Sequence, residues 1–239
     1  MSQETRTSRH DPLYHLQKSQ ITKYNKGDLI FEPATASLPK LYLLLSGRVQ
    51  VFHKENTGQN VLLQIVEAEG LFGETGLWSG RLPASHTAIA AIQSEVMSWT
   101  AQEVEAQVLR EPGLGLALIE ALCERCVLMR ERILALSVLP NRARLIVALL
   151  QLGEMIGEEI GNGSIRLRGL THQLIADYTG TSREIVTMEL NRLRRGAAIG
   201  YARAYIDLFP DQLAGELRSE RQESFIPVST AGVKRLAAG

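Results

Sequence analysis

A chain of 239 residues with 45% apolar side chains is long enough for two ordinary domains, each with its own core. Its 26 basic and 26 acidic residues cancel, which excludes attraction to a polyanion by whole-molecule charge and leaves only local patches for that purpose. Two cysteines and no apolar run long enough for a signal peptide or a bilayer span exclude a disulfide scaffold and a helical membrane protein, and predict a reduced, cytoplasmic chain.

Residues 1–20 form a polar N-terminal segment, the first ten or so without periodicity. From Ile21 to about Thr100 short β-type runs alternate with turn residues. In LYLLLSGRVQVF, Ser46 and Gly47 separate a pair of apolar runs, and VLLQIV and HTAIAAI continue the pattern. Many short strands with regular turns predict a small barrel or sandwich over residues 21–110. The texture then becomes helical, with AQEVEAQVLRE followed by a long run from Gly113 to Leu139 that Pro140 ends. Within residues 111–139, Ile119, Leu122, Cys126, Met129, Ile133 and Leu136 alternate spacings of three and four, the seam of a two-stranded coiled coil. A second apolar line, Leu116, Cys123, Val127 and Leu134, lies on another face and is expected to pack on the strands. One face for a second copy and one for the chain's own sheet predict a homodimer. The alternative is one amphipathic helix buried within a single subunit.

Residues 140–212 predict a second domain: a helix (NRARLIVALLQLGEMIG), a turn (GNGS), a strand (IRLR) and a compact pair of helices. The first of the pair runs from about Thr171 to Tyr178, with small Ala176 where the helices cross and Ile175 and Tyr178 in contact. The second lies in TGTSREIVTMELNRLRRG. Thr181 suits a cap, with Glu184 reaching back as in a capping box, and Gly196 suits the left-handed stop. The helix is therefore expected over Ser182 to Arg195. Val186, Leu190 and Leu193 form its buried stripe; Glu184, Thr187, Met188, Asn191 and Arg195 fall opposite, with Arg183 in a first turn where the helix dipole does not favour a cation. Helix, short Gly-containing turn and a second helix with a polar outer face make a helix-turn-helix. IGYARAYIDLF then offers two brief strands around Ala202 and Arg203, a wing. Between Gly163 and Ile206 seven Arg stand against three acidic residues, Asp177, Glu184 and Glu189, a local basic excess. Residues 213–239 are expected to be a C-terminal tail, and the fold class is α+β.

These residues carry a resemblance to the CRP/FNR family of bacterial transcription regulators, over about residues 20 to 210. KYNKGDLIFEP, LYLLLSGRVQVF and GLFGETGLW resemble its effector-binding β-roll, a cyclic-nucleotide-binding-like jelly roll, and LTHQLIADYTGTSREIVTMELNRL resembles its DNA-binding signature. The resemblance implies a dimerisation helix, a hinge at Leu139 to Arg142, and a winged helix whose partner is double-stranded DNA with a palindromic operator. RNA polymerase is a further partner that it allows. A recognition helix places its N-terminal residues at base edges, so Ser182, Arg183, Glu184, Thr187 and Met188 are expected to read sequence, with Asn191 on the same face. Arg183 suits guanine O6 and N7, and Glu184 suits cytosine N4. Where many members carry another Arg four residues on, Met188 stands, so one base is expected to be read differently. Thr171, His172 and Gln173, with Arg166, Arg168 and Arg195, are suited to phosphate contacts.

The effector stays open at this level. Gly73 and Glu74, followed by Thr75, match the cassette that holds a cyclic nucleotide's ribose, but Ala84 and Ser85 fall where its phosphate-gripping Arg and Ser would be, with Arg81 three residues early. Without that guanidinium the phosphate loses its charge-assisted bonds, and on the long helix Met129 and Arg130 replace the Thr and Ser that meet adenine in cyclic-AMP-responsive members. Cyclic AMP is therefore not expected. No Cys precedes Cys123, which excludes the family's iron–sulfur cluster. Haem with His86 as ligand, a redox pair Cys123 and Cys126, a carboxylate such as 2-oxoglutarate on Arg125 and Arg130, and a sensor with no ligand all stay open; no cofactor is predicted. A small-molecule module whose helical domain binds protein is the rival function. An enzyme is not expected, because no nucleophile–base group, metal cluster or phosphate loop is present.

Overall fold

The computed structural model describes residues 12–32, 39–54, 60–77, 86–202 and 204–223, with side chains as far as residue 220. The expected sites at Arg81, Ala84, Ser85 and Arg203 lie outside the described residues. The chain divides into two compact units, residues 1–130 and 131–239.

The first unit is built on two four-stranded antiparallel sheets. Strands β1 (Ile21–Tyr24), β8 (Ser94–Thr100), β3 (Lys40–Ser46) and β6 (Leu71–Phe72) form one, in that order; β2 (Leu29–Phe31), β7 (His86–Ala90), β4 (Arg48–Lys54) and β5 (Asn60–Glu67) form the other. The apolar run in β3 is continuous because both of its faces are covered. Tyr42 and Leu44 point into the core between the sheets, where Phe31, Tyr42 and Phe72 stack. Leu41 and Leu43 point the other way, into a second core with Trp99, Val104, Leu114 and Leu118. Strands β3 and β4, adjacent in sequence, belong to different sheets. Gly47 makes that corner at φ 100°, and a Cβ there would lie 2.3 Å from Ser94 Oγ.

Helix α1 (Pro12–His15) ties the N-terminal segment down, as His15 bonds Glu111 at 2.7 Å and Trp99 donates to the Gln17 carbonyl at 3.1 Å. Helix α2 (Ala101–Arg110) opens on a capping box between Thr100 and Glu103. The long helix α3 (Pro112–Val138) follows. Leu114, Ala117 and Leu118 are the residues of α3 buried against the strands. The expected second line takes no part in this: Leu116, Cys123, Val127 and Leu134 are exposed. The reason is helical phase, since positions 114 and 118, and not 116 and 123, fall on the sheet side.

In the second unit, α4 (Asn141–Ile156) packs against a sheet of order β11 (Ile199–Ala202), β12 (Tyr205–Leu208), β10 (Ser164–Arg168), β9 (Glu158–Gly161). Helices α5 (His172–Thr179) and α6 (Arg183–Arg195) form the expected pair. Ile175 and Ala176 of α5 and Val186, Leu190 and Leu193 of α6 are buried, as their spacing requires. Two end assignments change. Ser182, not Thr181, caps α6: its backbone is extended (φ −88°, ψ 155°), its hydroxyl accepts from the Ile185 N–H at 3.3 Å, and the helix begins one residue later than expected, at Arg183. Gly196 is not left-handed (φ −77°); Ala197 is, at φ 55°. A Cβ at Gly196 would come within 2.7 Å of Glu216 Oε1, the movable end of a side chain.

Strand β9 and helix α7 (Pro210–Glu223) are additions to the expected elements, and α7 corrects the reading of everything from residue 213 as tail. Leu213 and Leu217 are fully buried, and Arg142 at the start of α4 pairs with Glu216 and Glu220 of α7. A left-handed backbone strains any residue with a Cβ by roughly 1–2 kcal/mol, some of which glycine's unfolded-state freedom offsets. Ala197→Gly is therefore expected to stabilise this unit by about 1 kcal/mol, seen in thermal melting as a rise of about 4 °C.

Candidate nucleic-acid interface and sensor site

The second unit presents a helix start with polar side chains and no apolar cover. Ser182, Arg183, Glu184, Met188 and Asn191 are exposed along α6, Met188 at 51%. Glu184 is held locally: its own backbone N–H and the Ser182 hydroxyl donate to the carboxylate and keep its pKa below the usual glutamate range. It stays ionised as a hydrogen-bond acceptor. Among the described residues no ion pair holds Arg183, Arg194 or Arg195, and Arg195 Nε donates only to the Asn191 carbonyl at 3.3 Å.

Other expected contacts prove to have partners inside the fold. Thr171 caps α5, its hydroxyl accepting from the Leu174 N–H at 3.1 Å. Gln173 donates to Asp177 at 2.8 Å. Arg166 grips Asp207 with two bonds of 2.6 and 2.8 Å and lies 3.8 Å over the Tyr205 ring, and its hydrogen bonds hold the Asp207 carboxyl below its ordinary range. Arg168 bonds Glu158 at 3.1 Å, and Arg192 bonds the buried Glu189 at 3.2 Å. The basic excess counted along the sequence is thus partly neutralised in space, and its uncommitted charge collects on α6.

His172 and Thr187 meet one another. The imidazole of His172, at the start of α5, lies 2.7 Å by Nδ1 from Thr187 Oγ1 in α6 and 2.6 Å by Nε2 from the Tyr201 hydroxyl in β11. Its ring packs on Tyr201 at 5.5 Å between centroids. Both residues were expected on the DNA side; Tyr201, their partner here, stands in a run where no sequence pattern marks it.

In the first unit, Gly73 adopts φ 84° so close to β3 that a Cβ would lie 2.7 Å from the Lys40 carbonyl. A single helical turn, Glu74–Gly76, follows. Glu74 forms an ion pair with Arg125 of α3, and Arg125 also donates to the Leu71 carbonyl at 2.7 Å. Leu41, Leu71, Leu118, Ala121 and Leu122 complete a small cleft that opens to solvent. Glu74 Oε2 is buried there without a hydrogen-bond partner among the described residues. Thr75 and Arg130 are exposed and do not line this cleft. His86 sits edge-on to His53 at 5.9 Å, and burial, then the neighbouring His53, push its pKa down. Cys123 and Cys126 are free and exposed. Along α3 the whole expected seam is exposed, from Ile119 at 58% through Leu122, Cys126 and Met129 to Ile133 at 62% and Leu136.

A cyclic-nucleotide-binding-type β-sandwich followed by a winged helix-turn-helix defines a class of transcription regulator. Residues 21–111 match the cyclic nucleotide-binding domain, and residues 143–213 match the Crp-like helix-turn-helix domain. The chain therefore belongs to the CRP/FNR family of transcription regulators. It is 26% identical over 187 residues to a protein named global nitrogen regulator from Synechocystis sp., covering 78% of this chain and 83% of that one. It is 27% identical over 174 residues to the CRP-like cAMP-activated global transcriptional regulator of Mycobacterium tuberculosis, covering 72% and 75%. Among solved structures, FixK2 from Bradyrhizobium japonicum shares the fold with a TM-score of 0.70 at 18% identity, over 85% of this chain and 98% of that one. No described helix is long and apolar enough to cross a membrane.

Burial, and after it the charge of Arg183, hold the His172 pKa below its ordinary 6.5. The folded state binds that proton less readily than the unfolded chain, so the ring's contribution to stability is complete above pH 6.5 and is lost as the pH falls toward the folded-state midpoint. As the pH falls below 6.5, the melting temperature of the native protein is expected to drop more steeply than that of His172→Gln.

Proposed function

We propose that this regulator acts as a homodimer that binds an imperfect palindrome, one half-site per α6. The observation that carries the reading is the start of α6. There Ser182, Arg183, Glu184, Met188 and Asn191 are exposed on a helix whose opposite side is anchored by buried Val186, Leu190 and Leu193. Arg183 donates to guanine and Glu184 accepts from cytosine, each pair discriminating by roughly 1–3 kcal/mol. Met188 meets a base by apolar contact. Backbone N–H groups at the start of α5, capped by Thr171, together with Gln173 and Arg195, face phosphates. The dimer is supported by the exposed heptad seam on α3, because so many apolar side chains in one stripe cost free energy in water until a second copy covers them.

The signal acts at Gly73, Glu74, Thr75 and Arg125, with Ser85 and Arg130 as further candidates, and biases a population of dimers toward the orientation of reading helices that fits DNA. The ion pair between Glu74 and Arg125 supports an effector other than cyclic AMP. The carboxylate that would hold a ribose is already engaged by a cation of the same chain, and a nucleotide would have to break that pair while finding no guanidinium at Ala84 and Ser85 for its phosphate. One similar protein carries cyclic AMP activation in its name and another nitrogen regulation, so a signal-responsive regulator is the common ground. The cytoplasm, where operators lie, is its place of action, with RNA polymerase as a further partner.

Selection of duplexes from a random library by the purified protein tests the reading. The expected product is a two-fold symmetric site, bound roughly a thousandfold more weakly when salt rises from about 50 to 200 mM; salt-insensitive binding, or no enrichment, would overturn it. Arg183→Ala is expected to lose preference at one base pair of each half-site and to keep nonspecific binding. Met129→Glu with Ile133→Glu is expected to sediment as a folded monomer. Cyclic AMP at millimolar concentration is expected to leave the melting temperature unchanged.

A further inference from the structure

Three polar side chains from three elements meet in the second unit with little freedom in how their hydrogens are arranged. The Thr187 hydroxyl lies 2.8 Å from the Arg183 carbonyl and 2.7 Å from His172 Nδ1. A carbonyl only accepts, so the single Thr187 hydrogen goes to Arg183, and the oxygen's lone pairs face the imidazole. Nδ1 must then carry a hydrogen and donate. In the neutral ring Nε2 is left as an acceptor, and the Tyr201 hydroxyl at 2.6 Å donates to it. The opposite tautomer would need a second hydrogen on Thr187, or would leave the Thr187 and Arg183 oxygens facing each other at 2.8 Å with none between them. One relay results, from Tyr201 in the wing strand, through His172 at the start of α5, to Thr187 and the Arg183 carbonyl in the first turns of α6.

We propose that His172 is a positioning residue that fastens the wing strand to the recognition helix, and that Thr187 is withdrawn from base reading by the same bond. This rests on the DNA-binding reading above. Phosphate contacts from a wing set register only if the wing holds a fixed place relative to the helix that reads bases. Sheet hydrogen bonds hold β11 to β12, and the relay adds a direct polar tie from β11 to α6. Arg183 lies at both ends of the consequence. Its carbonyl terminates the relay, and its guanidinium, free of ion pairs among the described residues, is the group aimed outward. Burial and this nearby cation favour the neutral ring, the form in which Nε2 accepts.

Two measurements on the full-length protein test the proposal. The first needs no DNA: nitrogen chemical shifts of the His172 ring at neutral pH are expected to show a protonated Nδ1 and an unprotonated Nε2. A proton on Nε2 would rule out the relay. The second uses duplexes selected by the native protein, with Thr187→Val, Thr187→Ser and Tyr201→Phe. Valine keeps the shape of threonine without its hydroxyl, and serine restores the hydroxyl. Thr187→Val and Tyr201→Phe are each expected to weaken operator binding about fivefold, the worth of one neutral hydrogen bond. Thr187→Ser is expected to bind as the native protein does. The two weakening changes, on different elements, should leave base preference unaltered, and together should cost less than the product of their separate effects, because they interrupt one chain of bonds. A changed preference at one base pair in Thr187→Val, with Tyr201→Phe unaffected, would make Thr187 a base reader and overturn the proposal. If the native protein selects no duplex while the ring shows the expected tautomer, the fault lies with the DNA-binding reading, and the positioning role falls with it.

Discussion

The packing of α5 across α6 is the constraint on which the DNA-facing surface depends. Ile175 and Ala176 on one helix and Val186, Leu190 and Leu193 on the other are buried almost completely, and the turn between the helices uses its backbone donors to close α5 while Ser182 opens α6. Once that apolar stripe is sunk, the rotation of α6 about its own axis is settled. Rotation decides which side chains face outward, so Arg183, Glu184 and Met188 present themselves because their neighbours at helical spacing cannot. The arrangement resembles a lever whose fulcrum is apolar and whose working end is polar.

The sensor unit is constrained differently. Its two cores share strand β3, whose odd- and even-numbered side chains fall on opposite faces, so the strand under the cassette is covered on both sides and does not shift independently. Gly73 brings the backbone into contact with this strand, and Glu74 is delivered to Arg125 of α3. An ion pair in a largely apolar cleft is held by geometry and is costly to leave half made.

Much of this architecture was legible along the chain. Alternation marked the strands, the three-and-four spacing marked the exposed seam of α3, and the buried stripe of α6 was placed residue by residue. The misplaced residues share a cause, since each depends on where an element begins, ends or turns its face, which packing decides. Thr181 has the right chemistry for a cap, but the chain turns helical only at Arg183, so Ser182 holds the capping position. Gly196 has the right conformational freedom for a stop, yet its φ of −77° does not use it, and Ala197 carries the left-handed turn. Leu116, Cys123, Val127 and Leu134 are apolar, yet the phase of α3 against the sheets leaves them in water.

The order of residues by itself determined the period of each element, the polar or apolar character of each face and the general class of the protein. These follow from local spacing and from side-chain solvation, which need no knowledge of distant neighbours. Only the tertiary structure decided which polar groups meet: Glu74 with Arg125, Arg166 with Asp207, and His172 with Thr187 and Tyr201. Hydrogen bonds and ion pairs are short-ranged and directional, so partners tens of residues apart are set by how whole elements pack, and composition carries no record of that.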